Sequence, residues 1–397
     1  MDITIHPSKL CGTVRIIPSK SQAHRLLICA AFADKPTQII CTETNEDIAA
    51  TADCLNALGA QIAWTGQGYY VIPMTIAPKH AVLNCRESGS TLRFLLPVVG
   101  ALGVDAEFHM DGRLPDRPLS PLKEEMERMG CRFDNPQQHI LHCSGKLFPG
   151  NYQIDGGVSS QFITGLLFAL VLLNDHSELE ITGKVESAPY IHLTKDALRQ
   201  FSADIRGNKI YPSLPLKSPA ELTVEGDWSN AAFFYGANAI GSTIEISGLS
   251  DNSAQGDRVC KEILSTSGPL TVDATDIPDL VPILSIAAAA RSGGKFTGIR
   301  RLRLKESDRV ASVIAMLSSF GIRAEADEDT LTVHPGQFYS CTVSSHRDHR
   351  IAMSAAIGAT IADGPVTILD AHCVAKSYPT FWEIYKNLGG NYEQHLR

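Results

Sequence analysis

The sequence repeats one pattern along most of its length: an amphipathic helix, a small residue, a strand, a turn and a second strand. The small residue suits the end of a helix, where the backbone turns into a left-handed conformation before the strand. The pattern returns every roughly 55 to 70 residues, about six times in all. The helix-end segments are Leu58–Ile62, Met129–Phe133, Phe201–Ile205, Thr266–Leu270, Phe320–Ala324 and Leu388–Tyr392.

This repeat predicts an α/β (α+β) fold of two similar domains. One repeat is too small to bury its own apolar faces, so about three must share each core. A turn-rich stretch, Pro212–Pro219, precedes the resumption of the repeat after residue 227. A second crossing is expected near Arg15–Pro18, because the short N-terminal strand could pair with the later half. The predicted domains are residues 1–17 with 227–397, and residues 18–226.

Composition excludes several classes of function. A net charge of -8 argues against nucleic acid as the main partner, which needs a basic surface. The longest apolar stretch, residues 162–173, is too short to cross a membrane, and the first residues read as a strand without a signal peptide. The ten cysteines are scattered without a Cys-x-x-Cys pair, which indicates reduced thiols in a cytoplasmic protein.

Five short segments place a Lys or Arg beside Ser, Gly or an acidic residue where a helix should begin. Helix N-termini carry partial positive charge, so each is a candidate anion site. On an acidic chain, such a positive cluster indicates a trap for a small substrate with several negative charges. The segments are Ser19–Arg25, Glu87–Arg93, Lys305–Arg309, Asp348–Arg350 and Ala375–Ser377.

Each segment also has an ordinary structural interpretation. Lys305–Arg309 could be a solvated helix start with ion pairs between neighbouring turns. Asp279, just before the apolar stretch 281–290, could cap that helix or act as a general base. Two pairs of histidines, at 139/142 and 346/349, have metal-like spacing. The first pair lies in a strand-like segment, and His349 lacks acidic or Cys partners at useful spacing, so no metal site is predicted.

Taken together, these segments resemble 3-phosphoshikimate 1-carboxyvinyltransferase, the enolpyruvyl transferase (EPSP synthase) family of the shikimate pathway. The resemblance runs in the family's order from Gly12 to about Tyr378. It rests on Pro18–Ser21, Asp155–Phe162, Asn252–Asp257, Lys305–Arg309 and Asp348–Arg350.

The resemblance implies a fold of two domains, each with three sheet-and-helix units in an inside-out α/β barrel, joined by a hinge of two crossovers with the active site between them. It implies transfer of the enolpyruvyl group of phosphoenolpyruvate to the 5-hydroxyl of shikimate 3-phosphate through a tetrahedral intermediate, with release of phosphate. No metal or other cofactor is implied. Neither nucleic acid nor membrane is an expected partner, and we expect a monomer.

The resemblance also assigns roles to residues. Asp279 would accept the proton of the attacking hydroxyl. Glu306 or Lys20 would handle the proton at the enol methylene, and His349 would orient groups or carry a proton. Shikimate 3-phosphate would be held by Lys20, Ser21, Arg25, Ser159, Ser160, Gln161, Ser187, Asp279, Arg301 and Lys305. Phosphoenolpyruvate would be held by Lys20, Gly89, Arg117, Gln161, Arg309, Arg350 and Lys376.

Some positions depart from the family pattern. Glu87 and Phe94 replace common Asn and Pro residues near the phosphoenolpyruvate site, which leaves open the affinity for glyphosate, an inhibitor that competes there. Arg301 stands where many members have an Asn that contacts shikimate.

Two other functions fit parts of the sequence. The related transferase that acts on UDP-N-acetylglucosamine carries a loop Cys shortly before the position of Arg117, and this segment has none. A non-catalytic repeat protein would explain the repeat but not the cations at the helix starts.

Overall fold

The structure is a computed structural model that describes residues 1–395. Its contacts divide the chain into two compact units. We call Met1–Ile17 with Gly226–Arg397 the discontinuous unit, and Pro18–Glu225 the continuous unit. This division places Gly226 in the discontinuous unit, one residue from the boundary expected from the sequence.

Helices account for the most buried segments. They are α1 (Lys20–Ala31), α2 (Glu46–Ala57), α3 (Gly89–Leu102), α4 (Leu122–Arg128), α5 (Ser160–Leu170), α6 (Ala188–Gln200), α7 (Trp228–Ala239), α8 (Cys260–Ser265), α9 (Val281–Ala290), α10 (Arg309–Ser319), α11 (His349–Ala359) and α12 (Phe381–Asn387). Short 3-10 turns lie at Leu114–Asp116, Gly256–Val259, Pro278–Leu280, Arg300–Leu304 and Ala371–Lys376.

The strands are short and lie between the helices. They are β1 (Asp2–His6), β2 (Cys11–Arg15), β3 (Thr37–Ile40), β4 (Gln61–Trp64), β5 (Gly68–Ile72), β6 (His80–Arg86), β7 (Asp105–Met110), β8 (Cys131–Gln137), β9 (Ile140–Gly145), β10 (Asn151–Asp155), β11 (Ser177–Thr182), β12 (Ile205–Arg206), β13 (Lys209–Ile210), β14 (Glu221–Thr223), β15 (Thr243–Ser247), β16 (Leu270–Asp273), β17 (Gly294–Thr297), β18 (Ala324–Ala326), β19 (Thr330–Val333), β20 (Cys341–Ser344), β21 (Val366–Leu369) and β22 (Asn391–His395).

The sheets repeat one topology. In the continuous unit the strand orders are β14-β3-β5-β4, β6-β7-β9-β8 and β10-β11-β13-β12; in the discontinuous unit they are β16-β17-β19-β18, β20-β21-β1-β22 and the pair β15-β2. In each four-stranded sheet the first two strands are parallel and the next two pairings are antiparallel. The predicted repeat of sheet-and-helix units is therefore confirmed.

The small residues predicted at the helix ends take a backbone conformation with positive φ, as expected. Gly59, Gly130, Gly268, Gly321 and Gly389 all have positive φ angles, between 82° and 114°. Ser202, the one residue of the set that is not glycine, also has a positive φ, of 60°. In these segments the chain is thereby turned out of the helix and into the following strand; only Gly268 stands clear of its helix, since α8 already ends at Ser265.

Each unit places helices inside and sheets outside. Helices α3 and α5 of the continuous unit, and α9 and α11 of the discontinuous unit, are buried along nearly their whole length. Strands β6 and β10, by contrast, alternate buried and exposed residues, which is typical of a sheet with one solvated face. Helices α3 and α5 approach so closely that a Cβ on Gly165 would lie 2.2 Å from the carbonyl oxygen of Arg93.

The discontinuous unit is built from both ends of the chain. Strand β1 lies between β21 and β22, and β2 pairs with β15 in parallel. The predicted pairing of the N-terminal strand with the later half of the chain is therefore found.

One outer sheet carries a cluster of titratable residues that should make stability depend on pH. His142 Nδ1 lies 3.0 Å from Asp134 Oδ2, and its Nε2 contacts Asp105. These carboxylates raise the pKa of His142 above its ordinary value, with Asp134 the larger cause.

Because the folded-state pKa is the higher one, this stabilisation is complete below about pH 6.5 and is lost as pH rises through the folded value. We expect the melting temperature of the wild type, relative to His142→Gln, to fall between pH 6 and pH 8.5. Thermal unfolding followed by circular dichroism measures this difference. The exposed neighbour His139 provides the control: His139→Gln should follow the wild type. A pH-independent difference between the wild type and His142→Gln would contradict the assignment.

Candidate active site

The predicted site residues cluster at the N-termini of helices. Helices α1, α3, α5, α10 and α11 each begin after a Ser or Asp whose side chain accepts a hydrogen bond from a backbone N–H of the first turn. The cap residues are Ser19, Ser88, Ser159, Asp308 and Asp348. These helix starts provide free N–H groups, and all but that of α5 have a Lys or Arg in or beside the first turn, as suits an anion site.

Lys376 is the exception. The sequence predicted a helix start at Ala375–Ser377, but Lys376 ends the 3-10 turn Ala371–Lys376, and α12 begins only at Phe381. Pro379 explains the difference, because a residue before proline is disfavoured in the helical conformation. The Lys376 side chain is nonetheless buried.

In the discontinuous unit, Arg309 is the centre of the charged cluster. Its side chain is 1% exposed. Its Nη1 lies 2.8 Å from Asp279 Oδ1, its Nη2 lies 2.6 Å from Glu306 Oε2, and its Nε lies 2.9 Å from Asp348 Oδ2. One guanidinium therefore binds three carboxylates, which come from three separate segments of the chain.

Asp279 is held by three cations. Besides Arg309, Arg350 Nη2 donates to Asp279 Oδ2 at 2.8 Å, and Lys305 Nζ lies 3.8 Å from Asp279 Oδ1. Burial alone would raise the pKa of Asp279, but Arg350, Lys305 and Arg309 hold that pKa well below its usual range. The carboxylate is therefore charged, and in this form of the protein it is a weak base.

The structure excludes Asp279 as the N-cap residue of α9. Helix α9 spans Val281–Ala290, as predicted, but its N-cap residue is Leu280, without a side-chain capping bond. The Asp279 carboxylate instead bonds to the two arginines. The capping interpretation is therefore wrong.

Asp348 arranges both arginines at once. It caps α11 by accepting a hydrogen bond from the backbone N–H of Arg350 at 3.0 Å, and the same carboxylate accepts from Arg309 and from the hydroxyl of Ser307 at 3.1 Å. The neighbouring side chain of His349 is 1% exposed. A charged helix cap thus fixes the start of α11 relative to α10.

Lys305 and Arg301 add further positive charge. Burial lowers the pKa of Lys305 to about 8, against the opposing effect of Asp279, and the charges of Arg309 and Arg301 lower it further. Arg301 lies in the 3-10 turn Arg300–Leu304 and is half-buried. The departure from the family pattern at Arg301 therefore places a cation close to Lys305.

In the continuous unit, Lys20 forms an ion pair that the sequence analysis missed. Its Nζ lies 2.8 Å from Asp47 Oδ2, and the two side chains are 15% and 8% exposed. Asp47 lies in the first turn of α2, where an acidic residue commonly interacts with the helix dipole alone. Nothing in the sequence marked it as a partner of Lys20, 27 residues away.

The Arg25 side chain donates hydrogen bonds to groups of its own unit. Its Nε donates to Thr194 Oγ1 at 2.8 Å, Nη1 donates to the Ser21 carbonyl at 2.6 Å, and Nη2 donates to the Tyr190 carbonyl at 3.0 Å. The guanidinium also lies 5.0 Å from the ring centroid of Phe94. Burial lowers the pKa of Arg25 to about 10, still high enough to keep its charge at neutral pH.

A second group in this unit brings Gly89, Arg117 and Gln161 together, and it includes Arg93, which ends one of the predicted cation segments but was given no binding role. A Cβ on Gly89 would lie 2.7 Å from Nη1 of both arginines, so only glycine leaves the guanidinium groups their positions. Gln161 accepts from Arg93 Nη1 at 3.3 Å and donates to Ser90 Oγ at 3.1 Å.

The remaining predicted residues lie at the starts of α5 and α6. Ser159 caps α5 and Ser160 is its first residue. Ser187 precedes α6 with a positive φ of 57° and is 2% exposed. A non-glycine residue in this conformation is strained, which is common where a side chain must be aimed at a ligand.

Two negative observations concern the described residues. Within residues 1–395, no group of three or more His, Cys, Asp or Glu side chains has an arrangement that could hold a metal ion. No helix in the same range combines the length and apolar character needed to cross a membrane.

We expect Arg309→Met to destabilise the fold strongly, because it leaves Asp279, Glu306 and Asp348 without their shared cation. Removing one partner of a buried ion pair costs roughly 3–5 kcal/mol. Urea unfolding measures the change in the free energy of unfolding. Arg323→Met is the matched control, since the side chain of Arg323 is 72% exposed and its ion pair lies at the surface. A loss below about 1 kcal/mol for Arg309→Met would contradict the role of Arg309 as the centre of the cluster.

Solved structures define the class of this fold. The structure of EPSP synthase from Acinetobacter baumannii matches with a TM-score of 0.79 at 24% sequence identity, covering 99% of this chain and 100% of that one. The enolpyruvyl transferase NikO from Streptomyces tendae matches with a TM-score of 0.78 at 17% identity, covering 99% and 98%. The fold is that of the enolpyruvyl transferases.

Sequence comparison gives the family. The model of EPSP synthase (3-phosphoshikimate 1-carboxyvinyltransferase) matches residues 5–385. The 3-phosphoshikimate 1-carboxyvinyltransferases of Clostridium perfringens and Clostridium beijerinckii are 37% and 35% identical to this chain, over 98% and 99% of its length and 98% of their own. The chain belongs to the EPSP synthase family, as its motifs indicated.

Proposed function

We propose that this chain transfers the enolpyruvyl group of phosphoenolpyruvate to the 5-hydroxyl of shikimate 3-phosphate and releases phosphate. The observation that carries the proposal is the pairing of Asp279 with Arg309 and Arg350 at helix starts, in a chain of this family. It provides a carboxylate base directly beside two cations suited to a ligand with a carboxylate and a phosphate.

In the addition step, the 5-hydroxyl oxygen attacks C2 of phosphoenolpyruvate and its proton passes to Asp279. The methylene carbon C3 takes a proton from Lys20 or Glu306, which gives a tetrahedral intermediate. In the elimination step, C3 loses a proton to one of these groups and the C2–O bond to phosphate breaks. His349, buried beside Asp348 and Arg350, would orient these groups or relay a proton.

Phosphoenolpyruvate binding would also activate the base. Arg309 and Arg350 neutralise Asp279 in the structure, and we propose that they, with Lys376, bind the anionic groups of this substrate. Each negative charge that the ligand presents to the arginines offsets their effect on Asp279, so the pKa of this carboxylate rises toward its usual value. Asp279 therefore becomes a competent base only when phosphoenolpyruvate is bound.

The remaining assignments follow the two clusters of the continuous unit. Gly89, Arg117 and Gln161 would complete the binding of phosphoenolpyruvate. Shikimate 3-phosphate would be held by Lys20, Ser21, Arg25, Ser159, Ser160, Gln161 and Ser187 from this unit, with Asp279, Arg301 and Lys305 from the other. Because both units supply residues, we propose that substrate binding draws them together and excludes water.

We further propose a monomeric, cytoplasmic enzyme. All ten cysteines are free thiols, which suits a reducing compartment. Glyphosate would compete with phosphoenolpyruvate near Gly89, where Glu87 and Phe94 set its affinity.

Phosphate release tests the proposed reaction. Purified protein is mixed with phosphoenolpyruvate and either shikimate 3-phosphate or UDP-N-acetylglucosamine. We expect release only with shikimate 3-phosphate. Release only with the nucleotide sugar would replace the proposed acceptor, and release with neither, from folded protein, would contradict the proposed reaction. Small-angle scattering then tests closure: an unchanged radius of gyration at saturating substrates would overturn it.

A further inference from the structure

The crossover that follows Glu225 is held by hydrogen bonds from a single loop of the discontinuous unit. Gln255 Oε1 accepts from the backbone N–H of Trp228 at 3.0 Å, and Gln255 Nε2 donates to the carbonyl of Gly226 at 2.9 Å. The Gln255 side chain is buried, at 6% exposure. One amide group thus satisfies a backbone donor and a backbone acceptor on either side of Asp227.

Further contacts from the same region reinforce this hold. The indole Nε1 of Trp228 donates to the carbonyl of Ser250 at 3.1 Å, and the hydroxyl of Ser229 donates to the carboxylate of Asp257. Gly226 also packs against the backbone, since a Cβ there would lie 2.3 Å from the carbonyl oxygen of Gly248. We call Ser250–Asp257 the crossover clamp.

The bond to Trp228 matters because of its place in α7. Trp228 is the first residue of that helix, so its N–H has no partner within the helix. Gln255 supplies one in a buried position, where leaving the group unsatisfied would be costly. The start of α7 and the crossover before it are therefore fixed as one rigid piece.

The other side of the junction is held separately. Glu225, the last residue of the continuous unit, donates its N–H to Gln22 Oε1 at 2.7 Å and accepts from the backbone N–H of Ser19 at 2.7 Å. Gln22 lies on α1, which also carries Lys20 and Arg25. Two glutamines, one from each unit, thus hold successive residues of the chain.

We propose that Gln255 is a positioning residue for enolpyruvyl transfer: through the crossover clamp it confines the hinge to the Glu225–Gly226 junction. This inference rests on the proposed function, in which the two units close around the substrates. With the clamp intact, rotation at the junction moves α1 as a body. Without it, the motion spreads into the start of α7, and the closed state is reached less often.

The test variant is Gln255→Met, which keeps the length of the side chain and removes both hydrogen bonds. Gln337→Met, at an exposed position of the same unit, is the control. Amide hydrogen exchange reports the clamp directly, without substrate. We expect the Trp228 amide to exchange about tenfold faster in Gln255→Met, and to be unchanged in Gln337→Met.

Turnover and scattering then report the consequence of losing the clamp. We expect kcat of Gln255→Met to fall about tenfold, with less compaction in an equilibrium mixture of substrates and products. The dissociation constant for shikimate 3-phosphate alone should change less than about twofold, because most residues proposed to bind it lie in the continuous unit. If Gln255 had a purely structural role, Gln255→Met would lower the stability of the protein without this combination of a lower kcat and a nearly unchanged dissociation constant.

The outcomes distinguish the hinge from the reaction. Faster Trp228 exchange with normal turnover and compaction would overturn the role of Gln255, and unchanged exchange would overturn the clamp itself. An inactive wild type would refute the proposed function. The exchange rate of the Trp228 amide would still show whether the crossover clamp depends on Gln255. If Gln255→Met does not fold, Gln255→Asn, whose shorter amide keeps the site polar, is measured in the same way against the same expectations.

Discussion

The Asp279→Asn variant should turn over at roughly a thousandth of the wild-type rate, because it removes the group that we propose accepts the proton of the attacking hydroxyl. Its affinity for phosphoenolpyruvate should be equal to or higher than that of the wild type. In the structure Asp279 occupies one nitrogen each of Arg309 and Arg350, and a neutral amide competes less strongly for these cations. A loss of turnover together with tighter binding of one substrate is a combination that misfolding cannot produce.

Steady-state kinetics gives the turnover of Asp279→Asn, and calorimetry gives its dissociation constant for phosphoenolpyruvate. Glu328→Gln is the matched control, because the side chain of Glu328 is 77% exposed in the same unit. Turnover within tenfold of the wild type would remove Asp279 from the mechanism. Much weaker binding of phosphoenolpyruvate would show that the carboxylate does not compete with the ligand for the arginines.

Lys20→Met should also lose turnover by roughly a thousandfold, and in addition it should destabilise the fold. The substitution leaves Asp47, 8% exposed, without the ammonium group that lies 2.8 Å away. We expect the free energy of unfolding to fall by roughly 3 kcal/mol. The two losses have different origins, one in the reaction and one in an uncompensated carboxylate.

A double variant separates these two effects. Lys20→Met with Asp47→Asn should regain most of the stability, because no buried charge is then left alone, but it should remain inactive. Chemical unfolding and phosphate release measure the two properties, with the exposed Lys35→Met as the control. Recovery of turnover in the double variant would exclude Lys20 as a proton-handling group.

Local patterns explain why so much of the fold could be predicted from the sequence. The residues at the helix ends, such as Gly59 and Ser202, are determined by their own backbone conformation, which depends on near neighbours. The helix starts at Ser19 and Asp348 were likewise marked by capping residues. The helix start at Lys376 was predicted wrongly because Pro379 follows it. The residue before a proline is disfavoured in the helical conformation, so the helix begins only after the proline.

The electrostatic partners could not be predicted in this way. Asp279 lies 71 residues from Arg350, and Arg93 lies 68 residues from Gln161. Such pairs depend on which helix starts the fold brings together, and no short-range signal encodes that. The motifs therefore pointed to the cations and to the proposed base, while the structure was needed to show that they neutralise each other.

The position of β1 between β21 and β22 has a consequence for synthesis of the chain on the ribosome. The partners of β1 leave the exit tunnel only after the continuous unit, residues 18–225, is already complete. That unit can fold during translation, since domains generally fold as they are made. The first strand must wait with its backbone unpaired, exposed to aggregation and to chaperones, until the C-terminal strands arrive.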